Sequence, residues 1–298
     1  MTLPWRRPFT LLDGGLSTAL EELGQHPSGP LWTAEALIAR PDVVVAAHRR
    51  AVEAGADVVI TASYQASVPG FVASGLSVDD ARRVLASTTS LARDAGASAV
   101  ACSVGPYGAC RADGSEYSGR YDVSWDDVRS FHRARLEVLV PTRPDVFAIE
   151  TMPTAREAAI VVDELRRLTD GDAWVTFTCR DEVHTWGGDR FVDAVHAVAG
   201  RITAVGLNCT APRMVTPLLR ALHDDGPVGM PLVVYPNHGA DWDADRHCWS
   251  GPVGGAEIPG LVGEWLDLGV AVVGGCCGVG TATVSALADL RRAGAAEG

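Results

Sequence analysis

Short apolar runs recur along the chain at residues 10–12, 58–60, 97–102, 146–149, 174–178, 202–207, 231–235 and 270–273, and each reads as a buried β-strand. Helical spacing fills the gaps between them. Leu16, Leu20 and Leu23 stand at i, i+4 and i+7, with Gly24 as a stop signal. Ser77 with Asp80 has the form of a capping box ahead of Ala81, Val84, Leu85, Thr88 and Leu91. Ser124 with Asp127 repeats it before Val128, Phe131 and Leu139. Further helical patterns cover 160–168, 214–222, 261–268 and 284–290. Strands alternating with helices, with no Pro/Ser-rich linker, predict one α/β domain over residues 1–298, a (β/α)8 TIM-type barrel. The tail from about residue 293 to 298 is expected to fray. A doubly wound open sheet is the competing architecture, but no G-x-G-x-x-G follows the first strand, and Gly14-Gly15 alone does not make one.

In such a barrel, chemistry collects where the strands end at their carboxyl side. The polar residues ending these runs are Asp13, Thr61, Glu150, Asn208 with Cys209, Asn237, and Cys276 with Cys277. Taken singly, each has a plainer reading as a cap or a loop residue; Asp13 in particular stands where it would cap a helix starting near Ser17. Their convergence on one rim is what favours function.

Composition narrows the setting. A net charge of −12 argues against a nucleic-acid or anionic-membrane partner, and no basic stripe contradicts that. No apolar run reaches the length of a membrane span, and residues 1–7 show no secretory h-region. Seven cysteines, an odd number spread through a long chain, suit reduced thiols in a cytoplasmic protein better than a disulfide framework.

Three of those cysteines carry the chemistry. Cys209 lies in Gly-Leu-Asn-Cys-Thr, and Cys276-Cys277 in Gly-Gly-Cys-Cys-Gly. Neighbouring side chains in a regular strand point to opposite faces, so the adjacent pair serves one centre only where the glycines break the strand. Three thiolates with a fourth position free are the pattern of a catalytic zinc site. Three inert buried thiols and a Cys276–Cys277 disulfide are the alternatives. The spacing matches no zinc finger, so a metal site here is assembled by tertiary folding.

At these residues the chain resembles the zinc-dependent homocysteine S-methyltransferase family. The matching pieces are Leu-Leu-Asp-Gly-Gly (11–15), Ile-Thr-Ala-Ser-Tyr-Gln-Ala (60–66), Ser-Val-Gly-Pro-Tyr-Gly-Ala (103–109), Ala-Asp-Gly-Ser-Glu-Tyr (112–117), Glu150-Thr151, Gly-Leu-Asn-Cys (206–209), Tyr-Pro-Asn (235–237) and Gly-Gly-Cys-Cys-Gly (274–278). Residues 60–66 and 103–117 look most like the branch that uses S-methylmethionine as methyl donor. The resemblance implies Zn2+ on Cys209, Cys276 and Cys277, and methyl transfer from a sulfonium to homocysteine, giving methionine. It also implies substrate contacts by Asp13, Thr61, Glu150, Asn208 and Asn237, with Asn237 able to occupy the metal's open position before substrate binds. Two departures stand out: His238 replaces a small residue after Tyr-Pro-Asn, and Val279-Gly280 replaces a common Thr-Thr-Pro. Alternative readings are methylation of a related selenol such as selenocysteine or selenohomocysteine, a zinc hydrolase, and a non-enzymatic zinc-binding protein.

The remaining features read plainly. Asp241, Asp243, Asp245, His247 and Cys248 lack the glycine and glutamate of a calcium loop and are expected to form a solvated loop at the barrel mouth. Cys102 and Cys179 are expected to be core thiols within strands. Trp32, Trp186, Trp242 and Trp249 fall in predicted loops, where a ring facing a sulfonium is the functional alternative to packing.

Overall fold

The computed structural model describes residues 8–26, 29, 31–111, 113–239, 241–243, 248–250 and 255–296, with the backbone alone at 241–243, 248–250 and 296. Eight parallel strands form one sheet: β1 (Thr10–Leu11), β2 (Val58–Ile60), β3 (Ala99–Val104), β4 (Val146–Met152), β5 (Ala173–Phe177), β6 (Ala204–Asn208), β7 (Leu232–Tyr235) and β10 (Val270–Val273). Strands β8 (Asp241–Asp243) and β9 (Cys248–Ser250) pair as an antiparallel hairpin between β7 and β10. The sheet order β1-β10-β7-β6-β5-β4-β3-β2 brings the first two strands together, and the parallel bridge Leu12–Val58 closes the ring. The predicted TIM-type barrel is therefore the observed fold.

The seam between β1 and β2 is short, and side chains complete it. Asp57 Oδ2 accepts from Leu11 N at 2.9 Å, and Asp13 Oδ2 accepts from Ile60 N at 2.9 Å. Asp13 is thus a seam residue rather than a cap: the helix Leu16–Glu22 has Gly15 at its N-cap and no side-chain cap.

Alternation sorts each strand into two faces. Leu12, Val58, Ala99, Ala101, Val146, Ala148, Trp174, Ala204, Val233, Tyr235 and Val272 fill the barrel interior. Small alanines on several strands leave room for the Trp174 and Tyr235 rings to plug the lumen. The opposite faces pack under the surrounding helices in a larger apolar layer. At Gly206 a Cβ would lie 1.8 Å from Val233 O, so only glycine lets β6 and β7 approach this closely. Gly206→Ala is expected to cost about 3 kcal/mol and lower the melting temperature by roughly 6–12 °C. Thermal unfolding followed by circular dichroism checks this, and an unchanged melting temperature would show slack between these strands.

Most helices fall where the pattern places them. Ser124 and Asp127 form a full capping box on the helix Trp125–Leu139. Ser77 Oγ accepts from Asp80 N at 3.1 Å on the helix Val78–Asp94, but the Asp80 carboxylate takes the Ser77 hydroxyl instead of the backbone N–H. Three expectations change. The helices Pro41–Glu53 and Phe191–Val198 were not predicted. The last helix, Thr281–Ala296, reaches residue 296, inside the tail expected to fray. Cys179 follows β5 rather than lying inside it, although it is buried. Among the described residues, no helix is long and apolar enough to cross a membrane. The side chains of Trp242, Trp249 and the 241–248 acidic segment lie outside the described residues.

Candidate active site

Moving along the barrel axis, the inward positions change from apolar to polar near the carboxyl ends of the strands. Ala101 is followed two residues on by Ser103, Ala148 by Glu150, Trp174 by Thr176, and Gly206 by Asn208. Above this layer lies a cavity of about 180 Å³. Its lining includes Asp13, Thr61, Glu150, Cys209, Cys276 and Cys277.

The three cysteines meet there. Cys209 Sγ stands 3.7 Å from Cys277 Sγ, and Cys276 Sγ stands 4.0 Å from Cys277 Sγ. All three sulfurs lie within 4.8 Å of one another as free thiols. The pair is therefore not a disulfide. Thiolates about 2.3 Å from a tetrahedral ion sit about 3.8 Å apart, so this spacing fits one metal with a position to spare. Two S–H groups donate to Cys277 and hold its thiol below the ordinary value, the Cys209 contact contributing most. Cys209 is pushed up in turn, first by its contact with Cys276.

The corner carrying Cys209 is strained. Cys209 has φ 48° and Thr151 has φ 60°, both in the left-handed region that disfavours non-glycine residues. Asn208 bridges these corners: its Oδ1 accepts from Thr151 N at 2.7 Å, and its Nδ2 donates to Thr151 Oγ1 at 2.8 Å and faces Cys276 Sγ at 3.8 Å. Asn208 is fully buried and stands behind the cavity wall. Asn237 spends its amide on backbone groups. Its Nδ2 donates to Cys209 O at 3.3 Å, while its Oδ1 accepts from Gly239 N at 2.9 Å. Both asparagines hold the cysteine loops in this structure.

Thr61 lines the cavity but spends its hydroxyl on the frame, meeting Ser63 Oγ at 2.6 Å and accepting from Ser103 N at 3.0 Å. Glu150 accepts from Ser103 Oγ and, at 3.0 Å, from Tyr235 OH. Burial, then the nearby Cys276 side chain, pushes its carboxyl up to about 7. Asp13 is pushed well above the usual carboxylate range, chiefly by burial. Its Oδ1 is buried with no hydrogen-bond partner. The chemistry of such a pair of carboxyls is to receive cationic groups.

Several lining residues have no role assigned from the sequence: Tyr64, Gln65, Glu116, Tyr117 and Thr151 stand only within the matching segments, and Trp32 as a loop ring for which packing is the first reading. Tyr117 OH stands 4.0 Å from Cys209 Sγ, and the Tyr117 ring contacts Trp186 at 5.6 Å between centroids. Tyr64 is held from below by buried Arg135, whose guanidinium donates to Tyr64 O at 2.7 Å, to Gly105 O at 3.0 Å and to Ser63 O. The Tyr107–Tyr121 segment is anchored by buried Glu157, which accepts from Tyr107 N and Tyr121 OH at 2.6 Å and pairs with His132 at 3.0 Å. The two departures fit locally. His238 N donates to Cys277 O, and its ring covers Gly278, where a Cβ would come within 2.2 Å of it. Val279 O accepts from Gly15 N, and its side chain fills the space beside Gly275.

Fold and cavity together define a TIM-barrel enzyme with a three-thiol centre. The profile for homocysteine S-methyltransferases matches residues 10–291. Homocysteine S-methyltransferase 1 of Brassica oleracea var. italica is 38% identical, over 95% of this chain and 93% of its own. Selenocysteine Se-methyltransferase of the same plant is 34% identical, over 94% and 88%. The crystal structure of the metallated homocysteine methyltransferase MmuM from Escherichia coli superposes with a TM-score of 0.82 at 35% identity, covering 95% of this chain and 96% of that one. The chain belongs to the homocysteine S-methyltransferase family, and it is an enzyme that transfers a methyl group.

Proposed function

We propose that this enzyme transfers a methyl group from a sulfonium, S-methylmethionine in the first place, to the thiolate of homocysteine, with Zn2+ held by Cys209, Cys276 and Cys277. One observation carries the reading: the cavity lining holds three thiols, three carboxylates and the rings of Trp32, Tyr64 and Tyr117, but no lysine or arginine among the described residues. Such a lining is built for cationic ligands. A sulfonium and the α-ammonium groups of two amino acids are of that kind.

Cys209, Cys276 and Cys277 would hold the zinc, which would favour deprotonation of the substrate thiol while leaving its sulfur electron-rich. The rest falls to this chain's residues. The thiol proton leaves to solvent, the acceptor sulfur forms a bond to the methyl carbon, and the donor S–C pair returns to the donor sulfur. Positive charge on the donor disappears in that step, so no general base is required at the methyl group. Asp13 and Glu150 orient the acceptor through its ammonium, and the aromatic rings hold the sulfonium in line. Contact of the reacting atoms within roughly 3–3.5 Å is what such positioning achieves. Free thiols at all six described cysteines suit a reducing, cytoplasmic setting.

At fixed homocysteine, S-methylmethionine is expected to give the highest kcat/KM, S-adenosylmethionine a lower one and betaine the lowest. Betaine lacks the α-ammonium, and the adenosyl group is far larger than methyl. Initial rates of methionine formation by mass spectrometry decide it, and a clear preference for betaine would overturn the donor assignment. Selenocysteine offered in competition with homocysteine tests the selenol alternative.

A further inference from the structure

The cavity divides its carboxylates between two places. Asp13 and Glu150 line it from the barrel strands themselves, Asp13 just after β1 and Glu150 near the end of β4. Glu116 instead precedes Tyr117 in the chain and lines the cavity together with Tyr64 and Tyr117. Glu116 belongs to the short helix Ser115–Ser118, in the long connection between β3 and β4. Its backbone is pinned: a Cβ at Gly108 would lie 2.3 Å from Glu116 N, so the turn rests directly on the preceding loop. Asp113 Oδ1 accepts from Ser115 N at 3.0 Å and fixes the start of that turn.

Among the carboxylates lining the cavity, two have a buried oxygen without a hydrogen-bond partner: Asp13 Oδ1 and Glu116 Oε2. A buried carboxylate oxygen left unpaired costs free energy, and a cationic donor from a ligand removes that cost. The reaction proposed above brings two amino acids to one sulfur centre, and each carries one α-ammonium. Asp13 and Glu150 stand together at the rim, and the rim ammonium is that of homocysteine. The second unpaired oxygen belongs to the neighbour of Tyr117 and shares the cavity lining with the Trp32, Tyr64 and Tyr117 rings that suit a sulfonium.

We propose that Glu116 binds the α-ammonium of the methyl donor and thereby selects amino-acid sulfoniums over sulfoniums that lack an amino group. This rests on the sulfonium-to-thiol reading. It assigns Glu116 to donor recognition, separate from the acceptor contacts at Asp13 and Glu150.

The test compares the wild-type holoenzyme with Glu116→Gln, which keeps the shape of the side chain and removes its charge. The two donors are S-methylmethionine and 4-(dimethylsulfonio)butanoate, the same molecule without its α-ammonium. A charge-assisted hydrogen bond is worth about 1.5–3 kcal/mol, or roughly 10- to 150-fold in kcat/KM. Wild type is expected to prefer S-methylmethionine by a factor in that range, and Glu116→Gln to reduce the preference to within about threefold. The variant's KM for homocysteine, metal content and melting temperature are expected to stay at wild-type values. Calorimetric titration with S-methylmethionine, read without turnover, is expected to show the same loss of affinity. Retention of the donor preference in Glu116→Gln would overturn the assignment, as would a rise in the homocysteine KM with donor binding unchanged. Failure of every sulfonium with the wild-type enzyme would instead sink the underlying reaction.

Discussion

Cys209→Ser, Cys276→Ser and Cys277→Ser chains are each expected to fold, to lose most of their bound metal, and to fall in methyl transfer by roughly 1,000-fold or more, equivalent to about 4 kcal/mol of transition-state stabilisation. The fold survives because its energy lies elsewhere. Trp174, Tyr235 and the inward alanines fill the lumen below the thiols, and a second apolar layer packs under the helices. The corner at Cys209 is also held by groups a serine retains: Cys209 N donates to Tyr235 O, and Cys209 O accepts from Thr178 Oγ1 and Asn237 Nδ2. Zinc fingers unfold without their metal because they lack such a core. The activity loss follows from geometry. Sulfurs 3.7 and 4.0 Å apart have the spacing to hold one ion, and a serine hydroxyl neither ionises like a thiol nor matches its bond length. Elemental analysis of metal per chain, thermal melting and mass-spectrometric methionine assays separate the three quantities. Full metal occupancy with full activity in any one variant would remove that cysteine from the ligand set.

The barrel and the sulfur centre were legible because each leaves a local signature. Period-two and 3.6-residue patterns mark strands and helices, and glycine-framed cysteines at strand ends mark the rim. The helices Pro41–Glu53 and Phe191–Val198 escaped for different reasons: the first carries three consecutive valines at 43–45, and the second has only eight residues, nearly all apolar. Asn208 and Asn237 were correctly placed at strand ends, yet adjacency to a cysteine does not say which way an amide turns. In the folded chain Asn208 supports the left-handed turn at Thr151, and Asn237 secures the backbone of Cys209. Tyr64, Glu116 and Tyr117 sit on connections whose path is set by Arg135 and Glu157 from distant helices. Such a path has no period to read. Glu116 and Tyr117 lie in a segment that matches the family, but the unpaired Glu116 oxygen exists only in three dimensions.

Glu150→Gln is expected to lower kcat/KM for homocysteine by roughly 10- to 150-fold while leaving metal content and the donor KM near wild type. Glu150 ends the inward row Val146, Ala148, Glu150 of β4, so its carboxylate meets the cavity from below. Ser103 and Tyr235 donate to its two oxygens and hold them in place, and each oxygen keeps a lone pair for an incoming ammonium. The amide preserves the side chain's volume and one acceptor but removes the charge. Tyr235 OH still has Thr176 and Trp174 as partners, so damage to the barrel interior stays small. The contrast with Glu116→Gln makes the result diagnostic. One carboxylate is assigned to the acceptor and the other to the donor, so each variant should raise one KM and spare the other. Wild-type homocysteine kinetics in Glu150→Gln would reduce this residue to a strut between Ser103 and Tyr235. Equal damage to both substrates in both variants would mean that the cavity's negative charge acts as a whole, without separate subsites.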